Sequence, residues 1–387
     1  MGKLDKYIFR QVFAAAFMTV ALFVFVLVLG NIFRAALGEL LAGRLGVSLF
    51  MYLVALLIPS VVPYALPMGM LTGILLVFGR MSAQSEIVAM KSCGRSIYAM
   101  TAPVLFLAMG ACVLSFFINF YYSPSSSYAY KNAIKNVIRE NPLKFIKAGA
   151  FVKDFPGYVI YANKADETNN ELLGFRIWEL GADGKASAFI KADKANITFD
   201  RASDEIVFVL KNGAAERMPA DDPEKLDKPL PSAKFESLLV RMPLARVLGE
   251  TYKAYKKPGV MTFDELIVAR DTWHKDPLEN FPPEERAKRA RRDRIEINLQ
   301  IQENFAMAFS IFSLVMIAVP LGIKASRSET FANLAIAVAL AMTYYMMTVG
   351  ISWLKKYPEM RPDLLIWIPN FLFQGVGVFL IWRSSKH

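Results

Sequence analysis

Three long apolar runs, a long polar block and three further apolar runs divide this chain, a layout that confines it to a membrane fold with one large extramembrane insertion. A bilayer core about 30 Å thick is crossed by roughly 20 apolar residues of helix. Residues 11–33, 49–78, 97–122, 305–323, 331–354 and 364–382 each meet that length, so the sequence predicts six transmembrane helices in a three-plus-three arrangement. Lys3, Lys6 and Arg10 precede the first run as they would in a secretory signal. Its apolar stretch, however, exceeds a signal's core of about 7–15 residues and no small-residue cleavage site follows, so a retained helix is expected. The second run carries Pro59, Pro63 and Pro67 at four-residue intervals. Three successive backbone donors are therefore missing from one face, which predicts a kinked or tilted helix.

Lys and Arg in the short loops set the orientation. With the N-terminus in the cytoplasm, the inner segments carry Lys3, Lys6, Arg10, Arg80, Lys91, Arg95, Lys324, Arg327, Arg383 and Lys386, ten against the outer loops' five, Arg34, Arg44, Lys355, Lys356 and Arg361. Both termini are then cytoplasmic and the polar block lies outside, in the periplasm of a bacterium with two membranes. The net charge of +11 and pI near 9.4 do not indicate nucleic acid, because the basic residues are dispersed and mixed with acids. The densest basic cluster, Arg286 to Arg294, lies before the fourth span, where it reads either as a solvated helix face of alternating charge or as a site near anionic headgroups or an anionic lipid. The two cysteines, Cys93 and Cys112, fall in an inner loop and a span, so no disulfide is expected in the outer domain.

Within the block, FRIWELG, SAFIKAD, ANITFD and EIVFVL alternate polar and apolar residues, the period of half-buried strands. Turns are expected at Asp183-Gly184, at Asp200 to Asp204 and at Asn212-Gly213, spaced as in an antiparallel sandwich or open barrel. A long loop is expected at 220–232. Residues 127–139 read as an outward continuation of the third helix. Thr262 with Glu265 reads as the cap of a short helix over 262–270. The organisation is thus a first transmembrane half over 1–122, an all-β domain with helical connectors over 123–302 and a second half over 303–387.

Catalytic signals are missing. No Gly-rich loop ending in Gly-Lys-Ser/Thr, no nucleophile elbow, no His-Glu-x-x-His and no Cys-x-x-Cys occurs, which disfavours nucleotide hydrolysis or lipid modification by this chain. His274 stands without neighbours at ligand spacing, so no metal or cofactor is expected. The spans also lack the deep carboxylates of an ion-coupled transporter. Energy should therefore come from another subunit, or the chain is a membrane-anchored scaffold whose β domain only binds proteins.

The inner loop GRMSAQSEIVAMKSCGRS, residues 79–96, can form a short membrane-side helix over about 82–93. Ser82 or Ser85 would cap it, Glu86 would favour its positive end, and Gly94 would terminate it. Such a helix suits a groove on a cytoplasmic partner. With the preceding LPMGMLTGILLVF, the N-terminal LDKYIFRQ, the strand text FRIWELGADGKASAFIKADKANITFD and the AVPLGIKASR motif closing the fourth span, this stretch closely resembles the lipopolysaccharide-export permeases of the LptF/LptG family. The resemblance implies a six-helix inner-membrane permease with a periplasmic β-jellyroll and no catalytic role. It implies a sister permease (LptF or LptG), a cytoplasmic LptB-like ATPase dimer that hydrolyses ATP, and a single-span LptC-like jellyroll subunit. Lipopolysaccharide would be extracted from the membrane and passed from jellyroll to jellyroll. Glu86 would couple to the ATPase, with Arg80, Ser85, Met90 and Gly94 around it. Arg34 and Arg44, near the outer end of the first helix, would meet the lipid's phosphates, and apolar residues of the first and fifth helices would line its acyl cavity.

Overall fold

The computed structural model describes residues 2–35, 46–140, 142–146, 148–152, 157–166, 171–181, 186–217, 232–243, 256–272, 283–324 and 330–385. They form two compact units, Met1–Tyr130 with Lys257–His387, and Lys131–Lys256.

The first unit is helical. Its elements are α1 (Lys3–Ala35), α2 (Val47–Ala83), α3 (Glu86–Ser92), α4 (Ile97–Phe117), α5 (Ser123–Glu140, which continues into the second unit), α6 (Phe263–Thr272), α7 (Pro283–Lys324), α8 (Thr330–Trp353), α9 (Pro362–Leu365) and α10 (Ile368–Ser385). Six stretches among the described residues are long and apolar enough to cross a membrane, matching the six runs of the sequence. α1, α2, α7 and α4 with its continuation α5 extend further than their apolar runs, because polar residues at their ends continue the same hydrogen-bond ladder. A π-turn, Ile118–Tyr122, joins α4 to α5, so the third helix continues beyond its apolar run. Pro59, Pro63 and Pro67 all lie inside α2. α6 is capped as the sequence predicts, the Thr262 amide donating to Glu265 Oε2 at 3.0 Å. Residues 257–302 cluster with the helices rather than with the β block. Met261, Leu266, Ala269, Ile297 and Ile301 form a buried cluster there, and Phe120 meets Phe263 at 5.0 Å and Phe305 at 4.9 Å between ring centroids. His274 and Trp273 lie outside the described residues.

Two kinds of contact hold this bundle. α1 and α2 approach through small residues, since lipid offers little hydrophobic drive for helices to associate and close backbone packing must supply it. A Cβ at Gly69 would stand 2.6 Å from the Val20 Cα, and one at Gly73 2.7 Å from the Ala16 Cα. Thr19 adds a hydroxyl donated to the Gly69 carbonyl at 2.7 Å. The second half is tied by polar side chains around the fully buried Asn370 of α10. Its amide donates to the Ala306 carbonyl at 3.0 Å, and its Oδ1 accepts from Ser313 at 2.9 Å and from Tyr344 at 3.3 Å. Gln374 in turn donates to Ser313 Oγ at 3.0 Å. Side chains of α7, α8 and α10 thereby satisfy one another where no water is available.

The second unit is built on one antiparallel sheet, β1 (Tyr158–Tyr161), β2 (Lys164–Asp166), β3 (Glu171–Leu180), β4 (Ala186–Asp200), β5 (Glu205–Arg217) and β6 (Ser232–Pro243). The order is β1-β3-β4-β5-β6, with β2 also on β3. An all-β domain is therefore present, and among the described residues its strands are longer than the sequence suggests. SAFIKAD and ANITFD are one strand, β4. The turn at Asp200 to Asp204 forms. Asp200 accepts from the Ala202 amide and the Ser203 hydroxyl, which hold its carboxyl below the usual range. Arg139, at the end of α5, donates to Asp204 Oδ1 at 2.6 Å across the same turn. The expected turn at 183–184 and loop at 220–232 lie outside the described residues, except Ser232, which opens β6.

Asn212-Gly213 is not a turn. It lies inside β5, with Lys211 and Gly213 on either side of Asn212 both paired to β4 and β6, Gly213 opposite Ala192 and Phe235. Asn212 takes φ +53 and Gly174 of β3 takes φ +62. The signal for a turn, residues that tolerate positive φ, is used here to crease a sheet. Gly174, Asp193, Asn212 and Glu236 form one row across four strands where the pairing skips, although the register on either side is unchanged. On β3 the buried residues switch from Leu172 to Phe175 and Ile177 across this row, and on β4 from Ala192 to Ala195 and Ile197. Both portions of the sheet contribute to one core, in which Phe175 and Phe208 stack at 5.4 Å. A cleft of about 660 Å³ runs along the crease. Asn212→Val should cost about 1–2 kcal/mol in the left-handed region, seen as amide hydrogen exchange along β5 roughly tenfold faster. Asn212→Gly should exchange like wild type. A valine variant indistinguishable from wild type would show that the crease does not depend on this φ.

Candidate functional site

The elbow between α2 and α4 gathers the polar side chains that the sequence singles out. α2 stops at Ala83, and Ser85 turns the chain at φ +59. Neither serine caps α3. Ser85 is in the left-handed region, whereas a capping side chain needs an extended backbone to reach the second or third amide. Ser82 instead donates to the Ile323 carbonyl at 2.7 Å, tying the elbow to the end of α7. The far end of α3 closes as expected. Gly94 at φ +80 donates to the Lys91 carbonyl at 2.9 Å and Arg95 to that of Met90 at 3.1 Å, the double bond of a Schellman stop. A Cβ on Gly94 would meet no atom within 4 Å, so glycine is required there by conformation and not by space. Ser96 then caps α4, accepting from the Ala99 amide.

α3 has two faces. Ile87 and Met90 are buried in the same core as Ile8, Met81 and Ile97. Ser85, Val88, Ala89 and Ser92 point outward at helical spacing, Val88 being 62% exposed. Met90, nominated for a contact surface, therefore anchors the helix from within at 6% exposure, and Val88 stands where a partner can touch it. Their spacing of three and four residues was available in the sequence, but which stripe faces inward was not. Glu86 is half-buried at the start of α3 and accepts a hydrogen bond from the Tyr7 hydroxyl at 3.1 Å on Oε2. Arg80 is exposed and donates to Gln11 Oε1 at 2.6 Å. Arg95 pairs with Asp5. Glu86, Arg80, Ser85 and Gly94 are thus brought together on one elbow, braced by α1.

Arg34 lies in the last turn of α1, with its side chain outside the described residues, and Arg44 lies wholly outside them. Large apolar residues are left uncovered along α1, with Phe17 67% exposed, and along α8, with Met346 71% exposed. No cluster of three or more His, Cys, Asp or Glu side chains that could hold a metal ion occurs among the described residues.

A family model described as "Lipopolysaccharide export system permease LptF/LptG" matches residues 6–383, nearly the whole chain. The chain belongs to this family. Among its relatives, the lipopolysaccharide export system permease protein LptF of Escherichia coli (strain K12) is 18% identical over 356 residues, 90% of this chain and 86% of the relative. The LptF proteins of Escherichia coli O157:H7 and of Shigella flexneri match to the same extent. An LptF/LptG permease of this architecture is a multi-pass membrane protein with an all-β insertion, and the elbow at Glu86 is the part of it that carries most of the exposed polar geometry described above.

Proposed function

We propose that this chain is one permease subunit of an ATP-driven lipopolysaccharide exporter of the inner membrane, with both termini cytoplasmic and the β unit periplasmic. A separate ATPase dimer engages α3 at Glu86, and a sister permease completes the lipid cavity. The observation that carries the reading is α3 itself. It is a short helix whose apolar face is locked into the bundle and whose small outward face, with Glu86 at its start, is shaped for a groove on a soluble partner. Because Ile87 and Met90 are buried with the bundle, a push on α3 moves α2 and α4 with it, biasing a two-state bundle.

Support for the remaining parts is more distributed. The uncovered apolar faces of α1 and α8 suit acyl chains and a second permease. Arg34 and Arg44 are assigned to lipid phosphates, which basic residues at the end of a span can reach. Acyl chains would follow the apolar side of the creased sheet, and its edge strand β6 would pair with a single-span jellyroll subunit by strand addition. No cofactor is needed in this chain. Purification from its own membranes in mild detergent, with mass spectrometry of everything retained, tests the reading. An ATPase, a sister permease and lipopolysaccharide together are expected. Intact protein with none of the three would instead identify a membrane-anchored scaffold.

A further inference from the structure

We infer that α1 is a direct output of the coupling elbow, with Asp5, Tyr7 and Gln11 as the positioning residues that carry movement of α3 into it. This rests on the coupling role proposed for Glu86. Three contacts made by one short stretch of α1 land on the three parts of the elbow. Gln11 accepts from Arg80 at the end of α2, Tyr7 donates to Glu86 at the start of α3, and Asp5 pairs with Arg95 in the turn between α3 and α4. Tyr7 and Gln11 are one helical turn apart, and the intervening Ile8 and the next Val12 are both fully buried in the core that includes Ile87 and Met90. The stretch is therefore held to the elbow by an apolar stripe flanked by polar pairs.

Continuity gives this clasp its consequence. α1 is one unbroken helix from Lys3 to Ala35, about 50 Å at 1.5 Å per residue. A shift imposed on its first two turns is carried along the whole span, past the close approach to Gly69 and Gly73, to the end that bears Arg34. Arg95 and Asp5 form an ion pair with side chains 32% and 18% exposed, so the pair is partly shielded from water. Through Tyr7 and Asp5 the elbow thus has a route to α1 that does not pass through α2 or α4.

The test uses the complex purified from its own membranes and reconstituted in vesicles containing lipopolysaccharide, reading phosphate released per lipopolysaccharide removed from the bilayer. Asp5→Arg and Arg95→Asp, each alone, should raise that ratio about fivefold, a typical coupling free energy. The ATPase should remain bound, because Glu86 is still presented. The double exchange Asp5→Arg with Arg95→Asp should bring the ratio back toward wild type. Tyr7→Phe, which loses only a hydroxyl, gives a smaller rise in the same direction and serves if a charge variant fails to accumulate. Single variants with the wild-type ratio, or a loss that the exchange does not restore, would overturn the clasp while leaving the role of Glu86 intact. A wild-type preparation without any ATPase would overturn both.

Discussion

If α3 is the docking helix proposed above, Glu86→Lys is expected to strip the proposed ATPase from this permease. The substitution removes the carboxylate that accepts from Tyr7 and places a cation on an elbow that already holds Arg80, Lys91 and Arg95. Reversing one member of a close charge pair across an interface costs about 2–5 kcal/mol, enough to lower retention of the partner by more than tenfold. The measurement is the amount of ATPase recovered per permease after detergent extraction, together with lipopolysaccharide transport by the same membranes. Glu86→Gln keeps an acceptor for Tyr7 and loses only the charge, so its deficit should be partial. Full retention and full transport in Glu86→Lys would remove α3 from the coupling route.

Gly73→Leu should have the largest effect on the fold. With the Ala16 backbone 2.7 Å from where its Cβ would stand, no rotamer fits unless α1 and α2 separate. Overpacking costs of about 1–3 kcal/mol are a lower bound where backbone is the obstacle. The expected outcome is a marked drop in folded, monodisperse protein and in its melting temperature. Gly110→Leu is the contrast, since a Cβ there meets nothing within 4 Å, and it should melt like wild type. Equal behaviour of the two variants would mean that the α1–α2 packing does not hold the bundle together.

The spans were legible because a bilayer imposes length and apolarity on consecutive residues, a constraint that needs no knowledge of neighbours. The β block was legible as strands and less so as topology. SAFIKAD and ANITFD read as two strands because the polar Asp193-Lys194 pair breaks the alternation at their junction, yet one strand runs through it because Asp193 lies in the crease row, where the buried side changes. Asn212-Gly213 misled for a related reason. Tolerance of positive φ is a property of the residues, whereas its use for a turn or a crease depends on whether the chain beyond continues to pair. At the elbow, Glu86 and Gly94 were readable from local chemistry. The failure of Ser82 and Ser85 to cap α3 was not, since Ser82 is claimed by a carbonyl on Ile323, far along the chain. The same holds for Asp5, Tyr7 and Gln11, whose partners lie on a different stretch of sequence and which alone look like an ordinary helix start.

The buried amide of Asn370 divides the labour within the bundle. Helices that share directional bonds in a dry interior are indexed to one another like teeth on a gear, so α7, α8 and α10 keep their axial positions or give up several bonds together. α1 and α2, packed glycine against backbone at Gly69 and Gly73, share fewer directional bonds, Thr19 to the Gly69 carbonyl and Arg80 to Gln11. If α3 is pushed as proposed, the first half is the part that would yield and the second half the frame against which the stroke would be exerted.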